Sequence, residues 1–123
     1  MRLSATCWIE ISGKYAYTAN TGTNTISQYA IGRDGSLTHV GEIPTSGVTL
    51  PLDIAVSPDG RFVYLVEPGT GAVGAWRVDS YTGSLTAIGD VVAFEPAPAH
   101  APPDHFSTDG GSPAGIVVVN FDY

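Results

Sequence analysis

Gly13-Lys14-Tyr15-Ala16-Tyr17 and Gly60-Arg61-Phe62-Val63-Tyr64 are one five-residue motif written twice, 47 positions apart. The same offset lays Gly22-Thr23 over Gly69-Thr70, Ile26 over Val73, Tyr29 over Trp76 and Ile31 over Val78. After one inserted residue, Gly35-Ser36-Leu37-Thr38 falls on Gly83-Ser84-Leu85-Thr86, and Gly41 on Gly89. Glycines, aromatics and β-branched residues stay in step throughout, which is the mark of a structural repeat.

Each unit reads as short extended runs. Cys7–Ile11, Tyr15–Ala19, Thr25–Ile31 and Ser36–Gly41 in the first unit match Leu52–Ser57, Arg61–Val66, Ala72–Val78 and Ser84–Gly89 in the second. Turn residues separate the runs, among them Arg33-Asp34-Gly35 and Pro58-Asp59-Gly60. Asp-Gly between apolar runs is a hairpin signal, because glycine accepts the positive φ such turns need. No stretch keeps a helical apolar spacing without a Gly or Pro breaking it. The class is all-β. Four antiparallel strands per unit and a period near 47 describe a partial β-propeller: two blades, plus one strand of a third.

The organisation expected is therefore blade 1 over 1–50, blade 2 over 51–94, a Pro/Ala-rich loop over 95–112 and a strand over 113–123. That last strand rests on Pro113-Ala114-Gly115-Ile116-Val117-Val118-Val119, which repeats the pattern of Pro51-Leu52-Asp53-Ile54-Ala55-Val56-Ser57.

Composition narrows the partners. Twelve acids against five Lys and Arg give a net charge of −7 and a pI near 4.5. That balance excludes a basic nucleic-acid-binding patch and disfavours an anionic membrane surface. At 43 % hydrophobic residues, dispersed, the chain has a core but no membrane span. One cysteine makes no internal disulfide. The N-terminus shows no apolar leader region, so the expected location is the cytoplasm.

The residues quoted above, with Cys7-Trp8-Ile9, Thr18-Ala19-Asn20-Thr21-Gly22, Ile26-Ser27-Gln28-Tyr29 and Pro51-Leu52-Asp53-Ile54, resemble the lactonase-type propeller family. That family includes 6-phosphogluconolactonases and carboxymuconate cyclases, and its members usually carry seven blades in one chain. The resemblance implies a lactone or sugar ligand and a residue facing the central channel after the second strand of a blade. Asn20 and Glu67 stand there.

Blade topology gathers the candidate site at one end. The loops entering strand one and joining strands two and three bring Thr6, Asn20, Asp53 and Glu67 together with the 95–112 loop, which carries His100, Asp104, His105 and Asp109. As a hydrolase on a sugar or muconate-type lactone, the chain would use Glu67 as base on the attacking water, Asp53 on substrate hydroxyls and His105 or His100 as proton shuttle. Asn20, Thr6, His100 and Asp104 would bind ligand. The competing reading makes Asn20 and Glu67 partners of turn amides and Asp53 a strand cap, leaving a binding or scaffold module, or a vestigial lactonase-like protein. Neither a metal nor any other cofactor is expected, since the two histidines have no ligands at the right spacing.

Cys7 is expected to be a buried inert thiol and His39 a surface residue. Tyr15, Tyr17, Tyr29, Phe62, Tyr64 and Trp76 are expected to pack blade against blade. Lys14, Asp34, Asp59, Arg61 and Tyr81, at the opposite end, read as turn chemistry. Two blades leave two open faces, so the chain is expected to close a ring with copies of itself, a homo-oligomer of three chains with six full blades being favoured.

Overall fold

A computed structural model describes residues 5–92 and 115–119 of the chain. Eight strands run β1 Thr6–Ser12, β2 Tyr15–Asn20, β3 Thr25–Ile31, β4 Leu37–Pro44, β5 Ile54–Val56, β6 Phe62–Glu67, β7 Ala72–Val78 and β8 Leu85–Val92. They form two four-stranded antiparallel meanders, β1-β2-β3-β4 and β5-β6-β7-β8. The repeat is thus a repeat of blades.

The turn glycines do what the sequence asks of them. Gly13, Gly35, Gly60 and Gly83 all take positive φ, between 58° and 83°, and reverse the chain within each hairpin. The correspondence reaches into irregularity. A bulge interrupts β3–β4 between Gln28 and Tyr29, and its counterpart interrupts β7–β8 between Ala75 and Trp76. Each bulge lets the outer strand continue past the glycine read as its end, so β4 reaches Pro44 and β8 reaches Val92.

Alternation assigns the faces. Tyr17, Ala19 and Ile26 of the first sheet meet Ile54, Val63, Leu65 and Trp76 of the second in one buried cluster. Tyr15, Ile43, Val56, Val78 and Leu85 pack around it. Each fully buried aliphatic side chain there contributes about 1.5–3 kcal/mol. Three side chains of blade 1 also grip the β7–β8 turn: Tyr15 donates to the Tyr81 carbonyl at 3.1 Å, Tyr17 to Gly83 at 2.6 Å and Gln28 to Thr82 at 2.8 Å. Tyr15, Tyr17 and Trp76 therefore serve the seam between blades as expected. Tyr29, Phe62 and Tyr64 are outside the buried cluster and only half-buried.

Cys7 corrects an expectation. It lies in β1 with its sulfur 3.1 Å from Thr21 Oγ1, and it is exposed. Its counterpart Ile54 is buried because blade 1 covers it, whereas no blade among the described residues covers β1. His39 is exposed, as expected. Gly115–Val119 pair with no strand among the described residues, but the Ile116 amide donates to Asp53 Oδ2 at 2.9 Å.

Candidate functional site

The ends of β2 and β6 lie at one end of the two blades. The Thr21 hydroxyl donates to the Pro51 carbonyl at 2.6 Å and the Gly69 amide to the Thr49 carbonyl at 2.8 Å, tying the loop after β2 to the chain leading into β5 and that chain to the loop after β6. Asp53 joins the same end: Val66 N–H donates to its carbonyl at 2.9 Å. Four of the residues singled out from the sequence, Thr6, Asn20, Asp53 and Glu67, are thus gathered there. His100, Asp104, His105 and Asp109 lie outside the described residues.

Three of the four are already occupied. Asn20 is fully buried, and its amide donates to Thr25 Oγ1 at 3.0 Å, Ser27 Oγ at 2.7 Å and Glu42 Oε2 at 3.4 Å. Its carbonyl accepts from Thr6 Oγ1 at 2.8 Å and Thr18 Oγ1 at 3.2 Å. Ser27 passes the chain on to Glu42 Oε1 at 2.8 Å, where His39 Nε2 also lies at 2.8 Å. Burial pushes the Glu42 carboxyl up, but hydrogen bonds with Ser27, His39 and Thr25 outweigh it and hold it below the ordinary range. Asp53 spends Oδ1 on the Ile54 amide at 2.8 Å and Oδ2 on Ile116. It caps two stretches of backbone, the role weighed against ligand binding.

Glu67 differs. It is 1 % exposed, and neither carboxylate oxygen has a hydrogen-bond partner among the described residues. Burial, then the charge of Asp90, pushes its carboxyl from 4.5 up to about 7. The Thr70 hydroxyl, the weakest influence, pulls the other way, but its hydrogen bond runs to the Glu67 backbone carbonyl at 3.4 Å. A Cβ on Gly74 would come within 2.8 Å of Glu67 Oε1 and 2.6 Å of the Trp76 ring, so the carboxyl lies over a glycine and beside an indole. Such a group moves a proton near neutrality more readily than an ordinary surface carboxylate.

Glu42, His39 and Asp90 were not singled out as site residues. The signal was present: Glu42 and Asp90 occupy matching places in the outer strands, each on the side where its blade carries Asn20 or Glu67. Among the described residues no group of three His, Cys, Asp or Glu side chains is placed to hold a metal ion. The opposite end keeps to turn chemistry. Asp34 accepts from the Ser36 amide and hydroxyl, and Asp59 from the Ser57 hydroxyl and the Arg61 amide. These bonds hold both carboxyls below their ordinary value.

Comparison with known proteins agrees with this architecture. Residues 3–99 match the model of the family described as "Lactonase, 7-bladed beta-propeller". A 6-phosphogluconolactonase of Enterobacter sp. (strain 638) is 33 % identical over 93 residues, covering 76 % of this chain and 26 % of the relative. Among solved structures, a putative 6-phosphogluconolactonase from Bacteroides uniformis superposes with a TM-score of 0.70 at 22 % identity, over 76 % of this chain and 29 % of that one. The periplasmic gluconolactonase of Pseudomonas aeruginosa gives 0.65 at 22 % identity, over 71 % and 25 %. The chain spans about a quarter of the length of these proteins.

Proposed function

Because the chain belongs to the lactonase family of seven-bladed β-propellers, we propose that its two blades serve as a ligand-binding wedge of a closed propeller, and that the ligand is a small lactone or sugar. Further blades complete the ring. For this polypeptide on its own they come from further copies, three chains giving six full blades. The observation that carries the reading is the inequality at the ends of the second strands. Thr6, Asn20 and Asp53 are committed to framework hydrogen bonds, while the Glu67 carboxyl is buried with none among the described residues. A buried polar group without a partner costs stability, and such a group is kept where it serves a ligand.

Hydrolysis is the second reading, and the same carboxyl favours it. With its pKa pushed up to about 7, Glu67 is partly deprotonated at neutral pH and able to take a proton from an attacking water. The water oxygen bonds to the lactone carbonyl carbon, the ring C–O bond breaks, and the leaving oxygen takes up a proton to give an open hydroxy acid. Asp53, with both oxygens on backbone amides, shapes the site rather than gripping substrate hydroxyls. His105 or His100 would return the proton. The sugar-lactone class is supported by the name of the 6-phosphogluconolactonase relative. In the two-blade unit no solvent reaches the carboxyl, so hydrolysis requires that it open to water and ligand in the assembled protein.

The test is a panel of sugar and muconate-type lactones against the purified protein and Glu67→Gln, with binding followed by ligand-observed NMR and hydrolysis by pH-stat. Binding that weakens in a folded Glu67→Gln supports the first reading. Hydrolysis unchanged by that substitution removes Glu67 as the base. Absence of saturable lactone binding by the assembled protein overturns both. Light scattering that returns a well-folded 12.8 kDa monomer removes the ring of copies.

A further inference from the structure

Blade 2 has a face that repeats the one by which blade 1 holds it. On blade 1, Tyr15, Tyr17 and Gln28 donate to the carbonyls of Tyr81, Gly83 and Thr82 in the β7–β8 turn. The 47-residue offset puts Phe62, Tyr64 and Ala75 at those places on blade 2. Tyr64 pairs with Ala75 and Phe62 with Arg77, so all four share one side of the sheet, where the two rings lie 6.5 Å apart. Blade 1 packs on the other side, through Val63, Leu65 and Trp76. The sheets found among the described residues are the two blades, so no third sheet lies on the Tyr64 side. A cleft of about 490 Å³ opens there, lined by Arg61, Phe62, Arg77, Val78 and Ser80.

Blade 1 is open in the complementary way. Ile9 and Ile11 stand across from Thr18 and Ala16, on the side whose match in blade 2 is Leu65 and Val63, buried against blade 1. Ile9, Ile11 and Leu37 are exposed, whereas Leu85, the match of Leu37, packs around the core. The β3–β4 turn Arg33-Asp34-Gly35 matches Tyr81-Thr82-Gly83. Gly35 takes φ 83° and Gly83 takes 69°, so the two turns have kindred shapes. The Tyr15 ring lies against Gly83, but nothing lies within 4 Å of the place a Cβ would take on Gly35.

The donors of the two holding faces differ. Phe62 has no phenol and Ala75 no amide, so two of the three bonds made by blade 1 have no donor at the same places on blade 2. Arg77 stands on that face where blade 1 has Ala30. Its guanidinium is a planar fork of five N–H donors. It is exposed, and the ion pair found among the described residues is His39–Glu42, so no carboxylate there claims it. Asp34 keeps its negative charge at neutral pH, because the Ser36 hydroxyl and amide hold its carboxyl below the ordinary value. Arg33 cancels part of that attraction, so bonds to turn carbonyls, rather than net charge, must carry the contact.

We propose that the open face of blade 2 seats the β3–β4 turn of a second copy of this chain. Tyr64 donates to the Gly35 carbonyl of the second copy, as Tyr17 does to Gly83, and the Phe62 ring lies on that glycine. The Arg77 guanidinium answers the Arg33 and Asp34 carbonyls in place of Tyr15 and Gln28. The contact runs head to tail, each copy offering a different face, and so repeats around a ring. Such a seam presupposes the ring of copies proposed above and assigns the faces that meet in it.

Sedimentation velocity on the full chain and its variants tests the seam. The wild-type protein is expected to sediment as an assembly. Arg77→Glu disables the blade 2 face and Leu37→Asp the blade 1 face; both residues are exposed, so both variants keep the wild-type circular dichroism spectrum. Each alone is expected at the 12.8 kDa of a single chain. An equal mixture of the two is expected to give two-chain particles and nothing larger, because one seam is intact between them. Tyr64→Phe and Arg77→Gln each weaken association about tenfold. Lys14→Gln, in the cleft between the two blades of one chain, leaves it unchanged. A monomeric wild-type protein overturns the seam and the ring of copies together. An assembly that Arg77→Glu and Leu37→Asp both leave intact overturns the seam alone, since the copies then meet elsewhere. So does a mixture of the two variants that forms no two-chain particle.

Discussion

Asn20 and Glu67 end the second strands of the two blades at matching positions, yet among the described residues Asn20 has five side-chain partners and neither Glu67 carboxylate oxygen has one. The repeat explains the difference. The partners of Asn20 are Thr6, Thr18, Thr25, Ser27 and Glu42; at the same places blade 2 carries Asp53, Leu65, Ala72, Gly74 and Asp90. Three hydroxyl-bearing partners have become Leu, Ala or Gly, Asp53 is turned to backbone, and Asp90 repels. Blade 1 has built a polar network into its side of the sheet. Blade 2 has emptied the same space, and its side packs on blade 1.

A stability profile against pH follows from Glu67. Its folded pKa is raised from 4.5 to about 7, so the contribution of its neutral form is complete below pH 4.5 and is lost as pH rises through 7. Urea unfolding should show a decline of up to about 3 kcal/mol between pH 5 and pH 8. Glu67→Gln should remove most of that slope and be the more stable protein at pH 8. Asp90→Asn should make the decline smaller and end it at lower pH, since removing a like charge lowers the folded pKa of Glu67.

The same position in blade 1 should respond with the opposite sign. Asn20→Ala takes a donor from buried Thr25 and Ser27 and from Glu42 and an acceptor from Thr6 and Thr18, and should cost about 2–3 kcal/mol at every pH between 5 and 8. Chemical denaturation of Asn20→Ala beside Glu67→Gln checks this. Equal effects in the two variants would mean that the network contributes nothing.

What the sequence showed and what it hid follow from the range of the forces involved. Strands and turns were legible because Gly13, Gly35, Gly60 and Gly83 punctuate locally and the apolar alternation between them is local too. The grouping of Thr6, Asn20, Asp53 and Glu67 was legible because blade topology alone dictates it. The exposure of Cys7 was not, since burial there depends on a neighbouring sheet rather than on β1. Nor was the isolation of Glu67, which depends on residues 72, 74 and 90 across two further strands. The outer strands outran their expected ends because a glycine inside a bulge looks, from sequence, like a glycine at a turn.

Gly74 is the residue that makes room for Glu67. An added Cβ would meet Trp76 Cη2 at 2.6 Å and Glu67 Oε1 at 2.8 Å. The carboxyl is the end of a flexible side chain and gives way, but the indole belongs to the core cluster and does not. Gly74→Ala should therefore cost about 1–3 kcal/mol and shift Trp76 fluorescence, read in a Trp8→Phe background. Gly41→Ala, where nothing lies within 4 Å of the added carbon, should be close to neutral.

The grip of blade 1 on the β7–β8 turn gives the last test. Burial, then the neighbouring Tyr15, pushes the Tyr17 phenol up to about 12, so it remains a donor to the Gly83 carbonyl throughout the neutral range. Tyr17→Phe leaves that buried carbonyl unanswered and should cost about 1–3 kcal/mol, while Tyr15→Phe, whose bond is longer and exposed, should cost less. The wild-type protein should also lose stability as pH rises from 10 to 12, because the unfolded chain releases the Tyr17 proton first; Tyr17→Phe should lack that component. Gly83 completes the comparison with Gly35. Both take positive φ, at 69° and 83°, but a Cβ on Gly83 meets the Tyr15 ring at 2.5 Å and one on Gly35 meets nothing. Alanine at 35 should cost about 1 kcal/mol of backbone strain, and alanine at 83 clearly more, because it also drives Tyr15 off the turn. Equal losses at the two positions would show that the turn is held by its own backbone and not by blade 1.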